Sequence, residues 1–392
     1  MLKQTLAVTL MNLRAIPQRL GTSSVIVIGI AGVVAVLVSV LAMATGFHQT
    51  VANSGRDDRA IVLRGGSQAE VNSSIARDNL LTILDAPGVR KDAAGRPIGC
   101  GEIVTIVNLP KIDDGNLSNV TLRGSCGQLA ALRPELKLIE GRLFEPAVRE
   151  LIVGAGAAQQ FRGVTLGSRI SFRDSDWTVV GIFSSGGDAH DSELIADVDT
   201  VQSAFRRSLY QSVTALLDAP SSFAAFKDAL TTNPTLTVDV KREPEYYAEQ
   251  SKQLTKLLNF IAYFVGGIMA IGAMFGALNT MYSAVSSRAR EIATLRAIGF
   301  GAVPVVISVF AEALLLALLG GALGAALAWL FFNGNAVSTL GANFSQVVFR
   351  LTVTPGIVVS GLWLALFIGL LGGLFPAVRA ARLPVVDALR AQ

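Results

Sequence analysis

Four long apolar stretches constrain this chain more than any other feature of its sequence. In the first, at 22–47, Val25 to Phe47 gives about 23 residues without a charge, enough at about 1.5 Å per helical residue to cross a hydrocarbon core of about 30 Å. Similar runs follow at 257–282, 303–332 and 355–377. Because 51% of the residues are hydrophobic and only 16% are charged, the sequence predicts an α-helical membrane protein with four transmembrane helices.

Residues 48–256 differ in character, because charges appear throughout and strand and helix patterns alternate. They predict a large α+β domain of two βαβ halves, split by a β-rich insertion at about 117–199. The predicted strands are 60–64, 102–108, 149–153, 168–173, 177–183, 212–217 and 236–240, and the predicted helices are 73–84 and 221–230, the latter opened by a serine cap. Glu243 to Lys256 is patterned as a polar helix that continues into the second span.

The distribution of basic residues predicts the orientation. Segments 1–23, 283–302 and 377–392 hold nine Lys or Arg against two acidic residues, whereas the short loop at 333–354 holds only Arg350. The positive-inside rule therefore places both termini and 283–302 in the cytoplasm, and the large domain outside.

The two ends of the chain are patterned differently from its middle. Residues 1–21 are basic and apolar and predict an interfacial helix. A targeting peptide would share these features, but the run that follows is too long for a cleaved signal segment. Residues 378–392 form a cytoplasmic tail.

Ser286 to Phe300, here called the coupling segment, is a short charged stretch between two spans. Its charges and its apolar residues recur at helical spacing, and a glycine follows them as a helix stop. The polar face comprises Arg288, Arg290, Glu291 and Arg296, the apolar face Ile292, Leu295 and Ile298, and the stop is Gly299. The segment is either an amphipathic helix that binds a partner or a basic loop that only sets topology.

The sequences of several stretches resemble those of one protein family. Arg290 to Gly299, which reads REIATLRAIG, resembles the segment between the second and third membrane helices of FtsX/MacB-type ABC transporter permeases. The C-terminal stretch from Pro376 to Arg390 is similar to the closing motif of that family, except that Leu383 replaces the usual acidic residue. The stretches at 140–144, 150–154 and 178–183 resemble its extracytoplasmic core domain.

This resemblance implies a non-catalytic permease subunit in a bacterial inner membrane. ATP-driven motion of a separate ABC ATPase dimer would reach the extracytoplasmic domain through the coupling segment. The residues that would contact the ATPase are Arg288, Arg290, Glu291, Ile292, Leu295, Arg296, Ile298 and Gly299. Further implied partners are a second permease chain, identical or related, an adaptor of the membrane fusion type, and the lipid bilayer.

The chain itself contains no Gly-x-x-x-x-Gly-Lys-Ser/Thr run, so we expect no fused ATPase, no cofactor, and ATP bound by the partner. The cargo class implied is hydrophobic or periplasmic: lipid, lipoprotein, peptide or drug. The alternative is an FtsX-like regulatory protein that activates an extracytoplasmic partner such as a cell-wall hydrolase. Neither an enzyme site nor a nucleic-acid surface is indicated, since the basic residues flank the apolar spans.

A few residues leave alternatives open. Cys100 and Cys126 either pair, closing a loop that stabilises the domain by about 3 kcal/mol, or remain buried thiols. His48 and His190 lack metal-ligand spacing. The stretch Asp188–Glu193 is predicted to be a solvated loop rather than a calcium or catalytic site.

Inside the apolar spans, one charge and two glycine pairs stand out. Glu312 lies in the third span, where we expect it to pair with an arginine of the coupling segment rather than to relay protons. The glycine pairs, at 272 and 276 and at 320 and 324, serve either close helix packing or a dimer face.

Overall fold

A computed structural model of the chain describes residue 5 and residues 8–11, 20–341 and 344–382. Most of the helix predicted at 1–21, and the end of the C-terminal motif at 383–392, lie outside the described residues. The chain divides into two compact units. We call Met1–Thr45, Lys256–Asn335 and Leu351–Gln392 the helical unit, and Gly46–Thr255 with Ala336–Arg350 the sheet unit.

Each strand and helix predicted between residues 60 and 282 is present at or near its predicted position, and the structure adds further strands and short helices. The helices are α1 Leu20–Ala52, α2 Arg77–Leu84, α3 Leu129–Leu132, α4 Ala155–Gln160, α5 Val198–Phe205, α6 Phe223–Thr231, α7 Glu243–Ser287, α8 Ala289–Ala297, α9 Ala302–Phe332 and α10 Pro355–Ala381. The strands are β1 Arg59–Arg64, β2 Gly99–Pro110, β3 Leu117–Ser125, β4 Lys137–Gly141, β5 Glu150–Gly154, β6 Arg169–Phe172, β7 Ser175–Ser184, β8 Glu193–Asp197, β9 Ser212–Leu216, β10 Val238–Arg242, β11 Ala336–Leu340 and β12 Gln346–Arg350.

Within the described part of the chain, four helices are long and apolar enough to cross a membrane, namely α1, α7, α9 and α10. They correspond to the four apolar runs of the sequence. The polar stretch that begins at Glu243 and the second apolar run form the single 45-residue helix α7, as their patterning predicts.

Glycines set how closely α9 packs in the helical unit. A side-chain carbon added at Gly320 would lie 2.8 Å from the carbonyl oxygen of Val27, and one added at Gly324 would collide with that of Ala31. Gly272 and Gly276 of α7, in contrast, have open space around them. The pair in α9 therefore allows close approach to α1 within the chain, whereas a side-chain carbon added at either glycine of α7 would meet no atom of the described residues within 4 Å.

This difference predicts unequal effects of the same substitution. Gly324→Val forces α9 away from α1, and we expect it to destabilise the helical unit by about 1–3 kcal/mol. Gly272→Val meets no atom within 4 Å and serves as the control. Thermal unfolding of the detergent-solubilised chain measures both, and equal midpoints for the two variants would contradict the packing described above.

The sheet unit contains one mixed sheet, in which ten of the described strands take part. The strand order is β10-β1-β9-β2-β3-β8-β5-β7-β4, and β6 pairs with β7. Because β9 lies between β1 and β2, and β1 lies between β9 and β10, the two predicted halves interleave instead of lying side by side. The arrangement of these four strands is that of a ferredoxin-like split βαβ fold. The predicted fold class is confirmed with this refinement.

The β-rich insertion continues the same sheet. Its first strand, β3, pairs antiparallel with β2 and parallel with β8. One apolar cluster includes residues of both parts, among them Val62, Leu122, Trp177 and Val213. The sheet unit therefore has a continuous core, and the insertion is not a separate layer.

The segment predicted as a short loop at 333–354 contains a hairpin of β11 and β12 that packs in the sheet unit. The backbone N–H of Val348 donates to the Ser192 hydroxyl over 2.8 Å, and Thr121 bonds Ser345 over 2.7 Å. Phe349 packs edge-on against Phe47, with 5.5 Å between ring centroids. The sequence prediction missed this hairpin because the run is short and its partners lie far away in the chain.

The serine cap predicted for the helix at 221–230 is wrong. Helix α6 begins at Phe223 after a 3-10 turn, and the Ser222 side chain makes no capping hydrogen bond. Ser222 has helical backbone angles of −71° and −12°, whereas a capping serine needs an extended backbone to turn its hydroxyl toward the first free N–H groups. Pro220 has already started the turn.

Arginines buried at the centre of the sheet unit each face glutamates. Arg123 bonds three carboxylates, and Arg133 and Arg59 share a fourth. The contacts are Arg123 to Glu193 at 2.8 Å, to Glu70 at 2.9 Å and to Glu102 at 3.0 Å, and Glu243 to Arg133 at 2.7 Å and to Arg59 at 2.5 Å. We call these seven residues the charge network. Since an unpaired buried charge is very costly, each member depends on the others.

Pairing determines the protonation of these carboxyl groups. Burial alone would raise the pKa of Glu193, but Arg123 and His190 outweigh it and hold that pKa well below its usual range. Burial likewise opposes ionisation of Glu102, yet Arg133 and Arg123 lower its pKa. Both carboxyl groups are therefore ionised at neutral pH.

The prediction that Asp188–Glu193 is a solvated loop is wrong, because this stretch is buried against the charge network. The His190 ring bonds Glu193 through Nδ1 at 3.1 Å and contacts Arg133 through Nε2 at 3.0 Å. Asp191 accepts from the N–H groups of Ser185 and Gly187. Polarity suggested exposure, but the partners that neutralise this segment come from distant strands.

Acid should weaken the sheet unit through these groups. Folding depresses the pKa of Glu102 and Glu193 below an unfolded value of about 4.3, so their stabilisation is complete above that pH and is lost as the pH falls toward the folded-state pKa. Glu193→Gln leaves Arg123 with one carboxylate fewer and should cost roughly 3 kcal/mol at pH 7. It should also flatten the acid dependence.

The fluorescence of Trp177, which is fully buried in the sheet unit, reports this unfolding in a Trp329→Phe/Trp363→Phe background. Glu140→Gln, which alters an exposed carboxylate on β4, is the control and should match the parent at every pH. A Glu193→Gln variant with the parent's stability and acid slope would contradict the role given to the charge network.

Cys100 and Cys126 form a disulfide in the structure, with 5.8 Å between their Cα atoms. It joins the beginning of β2 to the residue after β3, next to Leu132 and Leu216. The histidines have other partners, since His48 Nδ1 bonds the Ser251 hydroxyl at 2.8 Å. Among the described residues, no group of three or more His, Cys, Asp or Glu is placed to hold a metal ion.

Candidate coupling segment

The coupling segment contains a separate short helix. Helix α7 ends at Ser287, Arg288 breaks the helical path, and α8 runs from Ala289 to Ala297. Gly299 then takes a φ of 102°, which glycine adopts without the steric cost that a side chain would impose. Its N–H donates to the Arg296 carbonyl at 3.2 Å. The sequence prediction of a helix ended by this glycine is therefore confirmed.

The predicted apolar face does not form one surface. Ile292 is only 7% exposed and belongs to the apolar core of the helical unit, Leu295 is half-buried, and Ile298 is 69% exposed. Residues three apart on a helix drift by about 60°, so Ile298 lies about 120° away from Ile292. The prediction that all three contact an ATPase needs correction, because Ile292 packs inside its own chain.

The predicted polar face is also divided. Arg290 and Glu291 are exposed. Arg296 is half-buried and donates from Nη1 to the backbone carbonyl of Ala381 at 3.0 Å, near the end of α10. Arg288 is buried, which removes it from the surface on which we predicted it. Of the eight residues predicted to contact the ATPase, the exposed ones are therefore Arg290, Glu291, Ile298 and Gly299.

Arg288 forms an ion pair with Glu312 of α9. The distance from Arg288 Nη1 to Glu312 Oε2 is 2.7 Å, and the two residues are 6% and 4% exposed. Glu291 lies 3.6 Å from Arg288 Nε. A carboxylate within an apolar span is costly unless it is paired, and this arginine satisfies it. The sequence prediction that an arginine of the coupling segment pairs with Glu312 is confirmed.

A second contact holds the ends of the spans together. The Arg379 guanidinium of α10 lies over the Tyr282 ring of α7, 5.4 Å from the ring centroid. Together with the bond from Arg296 to Ala381, it joins α7, α8 and α10 around the coupling segment. One side of α8 is therefore attached to the helical unit, and the other side carries charges that are exposed.

Two family models match this chain. The family described as MacB-like periplasmic core domain matches residues 20–233, and the family described as FtsX-like permease C-terminal matches residues 263–385. The extracellular domain of the noncanonic ABC-type transporter YknZ from Gram-positive bacteria matches 47% of this chain and 100% of its own, with 16% identity and a TM-score of 0.37.

Curated relatives match over longer stretches. The macrolide export ATP-binding/permease protein MacB of Bdellovibrio bacteriovorus is 24% identical over 405 residues, covering 94% of this chain and 59% of that protein. An uncharacterized ABC transporter permease of Methanocaldococcus jannaschii is 24% identical over 262 residues, covering 64% of this chain and 65% of that protein. The chain thus spans less than two thirds of the length of these relatives. Since the first family match alone covers more than half of the sequence, the chain belongs to the FtsX/MacB-type family of ABC transporter permeases.

Proposed function

We propose that this chain is a permease subunit whose coupling helix α8 receives ATP-driven motion from a separate ATPase dimer, so that the complex exports or extracts a hydrophobic or periplasmic cargo. The observation that carries the proposal is that α8 is attached to its own chain on one side and exposed on the other. Its inner side is packed and ion-paired within the helical unit, while Arg290, Glu291 and Ile298 are exposed. A helix that only set topology would need no such attachment.

The exposed charges of α8 support the docking of a partner on this side. Arg290 and Glu291 present opposite charges side by side, and exposed charges of this kind determine partner orientation and association rate more than affinity. Ile298 supplies the exposed apolar contact beside them. Relatives named as macrolide export ATP-binding/permease proteins support the pairing of such a permease with ATP hydrolysis.

Two observations support an extracytoplasmic sheet unit. Basic residues concentrate at 283–302 and in the end segments, whereas 333–354 holds only Arg350. The disulfide between Cys100 and Cys126 fits an oxidising compartment. We therefore propose that both termini and α8 are cytoplasmic, in a bacterial inner membrane.

The match to one family model favours transport over regulation. The match to the MacB-like core, with its insertion built into the sheet, supports an exporter of lipid, lipoprotein, peptide or drug. We also propose that two permease chains, identical or related, form the complex, and that an adaptor of the membrane fusion type joins it outside.

The docking prediction is tested with Glu291→Lys. Reversing this exposed charge should remove a co-purifying ATPase from the chain extracted gently from its native membrane, and ATP hydrolysis with it. Glu145→Lys makes the same change on an exposed residue of the sheet unit and should retain both. The measurement is the molar ratio of ATPase to permease together with ATP turnover.

Either of two results would overturn the assignment: a native chain that purifies without an ATPase, or a Glu291→Lys chain that keeps the full ratio of ATPase to permease.

Stimulation of ATP hydrolysis by cargo separates the exporter from the regulatory alternative. An exporter should hydrolyse ATP faster when a lipid, lipopeptide or macrolide is added. Hydrolysis that responds only to an extracytoplasmic protein would favour the regulatory alternative.

A further inference from the structure

We propose that Arg288 and Glu312 form a positioning pair that transfers displacement of α8 to the interior of α9, so that Arg288 acts inside the permease and not on the ATPase. This inference rests on the proposed function, because it assumes that α8 is displaced by a partner. It assigns a role to Glu312 and gives Arg288 a different role from its neighbours Arg290 and Glu291.

The covalent connection between α8 and α9 transmits motion poorly. Only residues 298–301 separate the two helices, and they include Gly299 and Gly301. Glycine has the widest backbone freedom of any residue, so these residues can absorb a shift of α8 by rotating their dihedral angles. A second, stiffer connection is needed if α9 is to follow α8.

The ion pair is in the right place to be that connection. Arg288 is the single residue between α7 and α8, so any tilt of α8 moves it. Glu312 lies ten residues beyond Ala302, the beginning of α9, which is about 15 Å along the helix axis. The pair therefore acts on the interior of the 31-residue helix α9, where a lateral pull tilts the helix instead of bending its first turn.

The chemistry of the contact distinguishes it from ordinary packing. Val305 and Val309 of α9 lie in the same apolar cluster as Ile292 of α8, and apolar surfaces can slide past each other at little cost. A charge-assisted hydrogen bond of 2.7 Å is directional. Arg288 and Glu312 are only 6% and 4% exposed, so water cannot readily replace either one as a hydrogen-bond partner. A displacement of Arg288 therefore moves Glu312 with it.

Stability alone does not account for a pair in this environment. A buried ion pair can be replaced by apolar side chains of similar volume without loss of stability, and often with a gain. Arg288→Met/Glu312→Leu should therefore fold as well as the parent. If the pair only stabilised the fold, this double variant would also function as the parent does, whereas a positioning pair predicts a folded chain in which α8 and α9 are uncoupled.

The experiment compares the parent, Arg288→Met/Glu312→Leu, and the charge-swapped Arg288→Glu/Glu312→Arg, each extracted with its co-purifying ATPase. For the apolar variant, Arg288→Met/Glu312→Leu, we expect the parent's ratio of ATPase to permease. Its ATP turnover in the presence of a lipid, lipopeptide or macrolide should be reduced roughly tenfold. The swapped chain should recover most of the turnover. Parental turnover in the apolar variant, or a loss of bound ATPase as in Glu291→Lys, would overturn the proposal.

A readout that needs no ATPase keeps this inference separable from the proposed function. The Cys100–Cys126 disulfide leaves no free thiol in the described chain, and the sequence has no other cysteine, so Thr294→Cys accepts a single spin label at an exposed position within α8. The label should be ordered in the parent and in the swapped chain, and more mobile in the apolar variant. Identical spectra in all three chains would overturn the positioning role, whether or not an ATPase binds.

Discussion

The buried charge network is the interaction on which the sheet unit depends. An arginine that loses its water must recover the lost hydration from carboxylates in good geometry, and Arg123 does so with three at once. Those carboxylates belong to different parts of the chain: a turn after β1, strand β2, and strand β8 of the insertion. Through Arg133 and Arg59, the network also holds Glu243, the first residue of α7. Its hydrogen bonds can form only when all of these elements are in place. The network therefore stabilises the fully assembled sheet unit relative to partly assembled ones.

The helical unit is held together differently, because most of its buried side chains are apolar. Glycines bring α9 close to α1 and α10, and dispersion contacts provide the attraction. The pair of Arg288 and Glu312 is an exception, because its hydrogen bond is directional whereas the apolar contacts around it are not. Arg290, two residues away, is exposed. Two arginines of one short segment thus have different surroundings, because Arg288 at the break between α7 and α8 is buried whereas Arg290 inside α8 is exposed.

The sequence predicted local features well, because their causes are local. Uncharged runs longer than 20 residues have few alternatives to a membrane helix, and Gly299 ends α8 because only its own backbone is involved. The pairing of Glu312 followed from the cost of an isolated carboxylate. The rotation of Ile298 away from Ile292 was also predictable, since the helical repeat of 100° per residue was sufficient to show it.

Features that depend on distant partners could not be predicted in the same way. The polarity of Asp188–Glu193 indicated solvent, because nothing nearby shows that Arg123 and Arg133 will neutralise it. The interleaving of β9 between β1 and β2 depends on pairing across more than 100 residues. Hydrophobic patterning identifies a strand but does not identify its neighbour, so the order of the sheet was open until the structure was known.

The hairpin of β11 and β12 has a consequence for how the protein is made. It completes the sheet unit, yet the ribosome adds it roughly 80 residues after Thr255, when α9 has already been synthesised. During that interval Ser192, Thr121 and Phe47 lack the partners that later cover them. A nascent chain at this stage exposes apolar surface and unpaired polar groups, which is the condition that favours aggregation and chaperone binding. The sheet unit can therefore be completed only after α9 has been synthesised.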